Sequence, residues 1–157
     1  MNLKNIFKVS QKKLCALCIK ILNLSTNNHQ LSTKMKYIST RKQEETNIKI
    51  AILKGLADDG GLFMPEYIPQ LEADFFENLP NLSLQEIGFR VAKEFLGESI
   101  SDDNLKEIID EVLNFEIPAV KIRENIYSLE LFHGPTMAFK DVGARFMARM
   151  MAYFSEG

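Results

Sequence analysis

Apolar positions along the chain fall into a few periodic runs. Across residues 46–57, Ile48, Ala51, Ile52 and Gly55 or Leu56 recur at i, i+3, i+4 spacing, which predicts a helix. Asp58-Asp59-Gly60-Gly61 breaks it, because two glycines give the backbone the freedom a tight turn requires. Leu62-Phe63-Met64 is a short apolar run stopped by Pro65, as expected of a buried edge strand. Ser83-Leu84-Gln85-Glu86 is a capping box, in which Ser and Glu satisfy free backbone N–H groups reciprocally. The helix it opens is expected to turn Leu84, Ile87, Val91 and Phe95 inward and to stop at Gly97. A second helix is predicted over residues 102–113, with Leu105, Ile108, Ile109 and Val112 on its apolar face and acids at its start.

Pro118 marks the next boundary. Residues 119–122 and 126–131 read as two strands around the turn-like triplet Arg123-Glu124-Asn125. A last helix is predicted over residues 139–154, with Val142, Phe146, Met150 and Phe154 in one stripe. Met147, Met150 and Met151 are expected to serve packing. The pattern is helix-rich, with a small antiparallel element and a closing strand–loop–helix unit.

Composition places the chain among globular proteins with a real core: 46% of residues are apolar and 25% charged, unlike a disordered chain. Charge is split along it. Nine of the 19 basic residues precede the first acid, Glu44, so the remainder carries all 21 acids against ten bases. That acidic body argues against a nucleic-acid partner. The basic head, residues 1–34, has three readings: a targeting peptide interrupted at Lys20, a membrane-surface helix, or sequence upstream of a start at Met35. The last is favoured, with the head outside the fold. No apolar run reaches the 18 residues a membrane span needs. Cys15 and Cys18 lack further ligands at zinc spacing, with only His29 and His133 in the chain, so no metal site is expected. From Met35 onward there is no cysteine, in keeping with the reducing cytoplasm.

The stretch with chemical content is LELFHGPTMAFKDVGARFMAR, residues 129–149. It reads as a strand, a loop of small residues, and Lys140 at a helix N-terminus. The partial positive charge there disfavours an ammonium, and desolvation by Ala138 and Phe139 would add to the effect. A free amine of this kind is what attack on an aldehyde needs. A solvated surface lysine is the alternative that spacing alone leaves open.

The run Glu130-Leu131-Phe132-His133-Gly134-Pro135-Thr136-Met137-Ala138-Phe139-Lys140-Asp141, followed by Gly143 and Arg145-Phe146-Met147, resembles the cofactor-lysine signature of the threonine synthase family. Tyr37, Ser39 and Thr40, then Gly55-Leu56 and Asp59-Gly60-Gly61-Leu62-Phe63-Met64-Pro65, resemble that family's N-terminal region. The resemblance runs over residues 35–153.

It implies an α/β fold: a threonine synthase N-terminal region joined to the start of the sheet domain of a fold-type II pyridoxal 5'-phosphate (PLP) enzyme, truncated. It divides the chain into a basic head (residues 1–34), a helical N-terminal domain (35–118) and the beginning of the PLP-binding catalytic domain (119–157). The implied reaction converts O-phospho-L-homoserine and water to L-threonine and phosphate. Lys140 is the implied catalytic residue and the covalent anchor of PLP. His133, Thr136, Asp141, Gly60 and Gly61 are weaker candidates for substrate contact. His133 has as its alternative a buried hydrogen-bonding role, Thr136 a helix cap, Asp141 an acid orienting the helix start, and the glycines a plain turn. The glycine-rich loop that would cradle the PLP phosphate is not found after Lys140, so the chain alone is expected to be inactive. A related phospholyase and a non-catalytic interaction module are the competing readings.

Overall fold

The computed structural model describes residues 35–156. The basic head, with Cys15, Cys18 and His29, lies outside the described residues. Strand β1 (Tyr37–Ser39) is followed by β2 (Glu45–Thr46), helix α1 (Ile48–Lys54) and β3 (Phe63–Pro65). Helices α2 (Ala73–Asn78), α3 (Leu84–Leu96) and α4 (Asp102–Val112) come next, then β4 (Ala119–Arg123), β5 (Ile126–Leu129) and helix α5 (Lys140–Ser155).

Strand β1 is the centre of an antiparallel sheet of order β2-β1-β3, with Tyr37 opposite both Thr46 and Pro65. The segment ending at Pro65 is therefore an edge strand, as its proline requires. It is not buried as expected: Met64 is 53% exposed and Phe63 only half-buried. Strands β1 and β2 were not legible in the sequence, being three and two residues long, too short for an alternation to register. The hairpin β4–β5 turns at Glu124-Asn125, where Asn125 takes a left-handed φ of 62°.

Helix α1 is shorter than its apolar pattern. Asn47 caps it, its side chain accepting from the Ile50 amide at 3.0 Å, and Gly55 ends it at φ 75°. Helix α3 carries the predicted capping box. Ser83 Oγ accepts from the Glu86 amide at 3.1 Å, and Glu86 accepts from the Ser83 amide at 2.7 Å. Its inward face differs from the expected one by a residue. Leu84, Phe89, Ala92 and Leu96 meet the core, while Ile87, Val91 and Phe95 are half-buried. The reason is Gly88. A Cβ there would lie 2.6 Å from Leu113, so its absence lets the end of α4 approach on that line.

The core lies between α4 and its neighbours. Helix α4 packs against α3 on one side and α5 on the other, and α5 also meets α1. Leu105, Ile108, Ile109 and Val112 are all buried, as their spacing predicts. Met150 and Phe154 enter the same cluster from α5, with Val142 and Phe146 packed against it. Of the three methionines expected to pack, only Met150 does so; Met147 and Met151 are 46% and 40% exposed, because a rotation of about 100° per residue turns them off the core stripe. Among the described residues, no helix is long and apolar enough to cross a membrane.

Tyr37 ties the sheet to α3. It is buried and donates from its hydroxyl to the Phe95 carbonyl at 3.0 Å. Burial pushes its phenol up to about 12.

Leu105→Ala is expected to lower stability by about 2–5 kcal/mol, read from the midpoint of urea unfolding, because the site has no exposed edge through which to collapse. Tyr37 contributes stability that is fully present below its unfolded pKa of 10.0 and lost as pH rises through about 12. Tyr37→Phe should therefore be less stable than the parent near neutrality by about 1 kcal/mol, yet lose stability less steeply between those two pH values. Parallel slopes for the two proteins would contradict this.

Candidate active site

The loop that follows β5 turns sharply before it enters α5. The Met137 amide donates to the Gly134 carbonyl at 3.0 Å, and Met137 holds a left-handed φ of 52°. A non-glycine residue in that region is held there by its surroundings. What holds it is Asp141, the second residue of α5. Its carboxylate accepts from the Thr136 amide at 2.8 Å through Oδ2 and from the Thr136 hydroxyl at 2.6 Å through Oδ1. Asp141 is only 2% exposed. Gly134 is buried against it, and a Cβ on that glycine would come within 2.5 Å of Oδ2.

This arrangement sets the charge state. The Thr136 hydroxyl holds the Asp141 carboxyl below the usual carboxylate range. The Thr136 and Ala138 amides and the Arg145 charge act in the same direction, against the opposing effect of burial. The contribution of the ionised form is present above the ordinary carboxylate pKa and is lost as pH falls through the lowered one.

Arg145 stands one turn further along α5. Its guanidinium donates to the Val112 and Glu111 carbonyls at 3.1 and 2.7 Å and to Asn114 Oδ1 at 3.0 Å, and lies 5.8 Å from the Phe115 ring centre. The last carbonyls of α4, which no helical amide can reach, are thus satisfied from α5. Arg149 adds an ion pair to Glu111 at 3.0 Å.

Lys140 is the first residue of α5 and is exposed. The expected desolvation is not supplied: Phe139 is 75% exposed and offers no wall against the amine. Among the described residues, no carboxylate pairs with the Lys140 ammonium. The other predicted residues divide. Thr136 does not cap α5, since Phe139 occupies the cap position without a side-chain bond and the Thr136 hydroxyl donates to Asp141. His133 is exposed, not buried; its Nε2 lies 2.8 Å from Glu130 Oε2 and its ring stacks on Phe132.

Gly60 and Gly61 belong to a second cluster at the end of β1. Asp59 accepts from the Ser39 hydroxyl at 2.6 Å and from the Gly61 amide at 2.8 Å. Arg41 donates to the Asp59 carbonyl at 2.7 Å, and Thr40 Oγ1 accepts from the Leu62 amide at 3.1 Å. The Ser39 hydroxyl, with the amides of Gly61 and Gln43 and the Arg41 charge, holds the Asp59 carboxyl below its ordinary range. Gly60 needs its φ of 76°, and a Cβ on Gly61 would fall 2.1 Å from Ser39 Oγ. Asp59, Ser39 and Arg145 carry these networks without having stood out as site residues. Only the spacing of Arg145 from Asp141, one helical turn, could have pointed to a link. A hollow of about 670 Å³ bordered by Asn47, Glu98, Tyr153 and Phe154 includes none of the predicted site residues.

Gly134→Ala is expected to part Thr136 from Asp141 and to destabilise the chain by about 1–3 kcal/mol through overpacking. Amide exchange should then quicken at Thr136 and not at Leu105; unchanged exchange at Thr136 would show that the contact yields without breaking the pair.

Known proteins resemble this chain in sequence and in fold. The sequence profile described as the threonine synthase N terminus matches residues 36–113. The threonine synthase of Schizosaccharomyces pombe is 38% identical over 131 residues, covering 79% of this chain and 26% of that protein. The Saccharomyces cerevisiae enzyme is 40% identical over 131 residues, covering 75% of this chain and 26% of its own length. Among solved structures, PLP-bound threonine synthase from Brucella melitensis aligns with a TM-score of 0.74 at 38% identity, over 78% of this chain and 28% of that one. The yeast structure aligns at 0.72 and 36%, over 79% of this chain and 27% of that one. The chain thus spans about a quarter of the length of its relatives, and in sequence and in its mixed helix-and-strand fold it belongs to the threonine synthase family.

Proposed function

We propose that this chain is the N-terminal part of an enzyme that converts O-phospho-L-homoserine and water to L-threonine and phosphate, with Lys140 as its PLP-binding and catalytic lysine. The observation that carries the reading is Lys140 itself: an exposed amine without a carboxylate partner, on the first turn of a helix whose entry loop is fixed. Those features fit covalent attachment of an aldehyde cofactor, which a salt-bridged lysine would resist. The described residues offer the anchor for PLP and not a cradle for its phosphate.

When bound, PLP supplies an electron sink for charge developing on the substrate carbon skeleton. The protein's part is positional and acid–base. Lys140 Nζ would hold the cofactor and, once free, take a proton from the substrate and return it. His133, whose Nε2 lies 2.8 Å from Glu130 Oε2, is the proposed contact for an anionic group of the substrate. The cysteine-free stretch from Met35 onward accords with the cytoplasm. By itself, spanning a quarter of its relatives' length, the chain is proposed to make no threonine.

The test is a transplant. Residues 37–155 replace the matching segment of the Saccharomyces cerevisiae enzyme, and threonine formation from O-phospho-L-homoserine is measured. Activity should persist and fall by at least about 10³-fold on Lys140→Ala, as loss of a covalent catalytic group does. A Lys140→Ala transplant that stays active would end the assignment.

A further inference from the structure

Lys140 lies between two fixed points. On its C-terminal side, Arg145 fastens α5 to the end of α4 through three hydrogen bonds. On its N-terminal side, the loop is fastened back to α5 by Asp141, whose two oxygens take the amide and the hydroxyl of one residue, Thr136. A bidentate contact fixes direction as well as distance. Gly134 leaves the room that this carboxylate fills, since a Cβ there would lie 2.5 Å from Oδ2. Met137 keeps its left-handed backbone inside the same small ring.

We infer that Asp141 is a positioning residue for Lys140: by holding residues 134–138 and the first turn of α5 as one rigid body, it sets the direction in which the amine is offered. This rests on the assignment of Lys140 as the PLP lysine and adds to it. The Thr136 hydroxyl, its proton committed to Asp141, then presents only lone pairs to its surroundings. Thr136 therefore acts through Asp141 and not as a donor to an anionic substrate. The groups near the carboxylate are few. They are the Thr136 hydroxyl and amide, the Ala138 amide and the Arg145 charge.

Orientation can be read without turnover. The full chain is treated with PLP, and the adduct is trapped by borohydride and mapped by peptide mass spectrometry. Before reduction, the circular dichroism induced in the adduct's visible band reports how firmly the ring is held in one asymmetric setting. Asp141→Asn removes the charge and one acceptor, Thr136→Val removes the hydroxyl, and Thr136→Ser restores it. The wild type should be trapped at Lys140 and show the induced band. Asp141→Asn and Thr136→Val should still be trapped at Lys140 with the band reduced at least about threefold, and Thr136→Ser should regain it, at unchanged far-ultraviolet dichroism in all four. If Asp141→Asn does not fold, the Thr136 pair decides alone. Trapping at Lys140 with no band in the wild type, or with an equal band in Thr136→Val and Thr136→Ser, would overturn the positioning role and leave the lysine assignment standing. A wild type trapped at other lysines and not at Lys140 would overturn both.

Discussion

A carboxylate with 2% of its surface exposed sits at the start of the helix that carries Lys140, and the local structure is arranged to satisfy it. Burying a charge without partners is costly, so both Asp141 oxygens must find donors. They find them in one residue, Thr136, five positions back along the chain. Three features follow from that contact. Position 134 must lack a Cβ, Met137 must enter the left-handed region, and α5 must begin without a conventional side-chain cap at Phe139. Lys140 inherits its place from this contact without taking part in it.

The helix is also joined to the rest of the molecule. Arg145 reaches the carbonyls that α4 leaves unpaired, while Met150 and Phe154 fill the same core as Leu105 and Ile108. The polar and the apolar links lie on one helix at different depths. Arg145 closes the end of α4 near the surface, and Met150 is fully enclosed. Arg145 thus ties the end of α4 to α5 five residues after Lys140. Residues before and after Pro118 share one core, so the strand pair β4–β5 is a connection between packed helices.

The two polar networks have the same construction. In each, an aspartate takes a side-chain hydroxyl and a backbone amide, and a glycine leaves the space that the contact needs: Asp141 with Thr136 and Gly134, Asp59 with Ser39 and Gly61. One orders the entry to α5 and the other fastens the turn before β3 to the end of β1. Both are rigid loops on a helical scaffold, a common way of presenting functional groups.

Much was legible in the sequence because it depends on near neighbours. Helical spacing placed the apolar face of α4 and the core stripe of α5, the capping box marked the start of α3, and Pro65 marked an edge strand. The run from Phe132 to Asp141 pointed to Lys140 by resemblance, before any geometry. What the sequence did not determine depends on residues distant along the chain or on space left empty. Strands β1 and β2 exist through pairing across gaps and are too short to show a period. The inward face of α3 was set by an approach through Gly88 that involves Leu113, and spacing within the helix cannot register that contact. Phe139 and Met147 proved exposed although both are apolar, because exposure depends on what lies opposite. Only the tertiary structure decided that Thr136 and Asp141 bind each other, since hydrogen-bonding residue types name possible partners but not which partner the folded backbone brings within 3 Å.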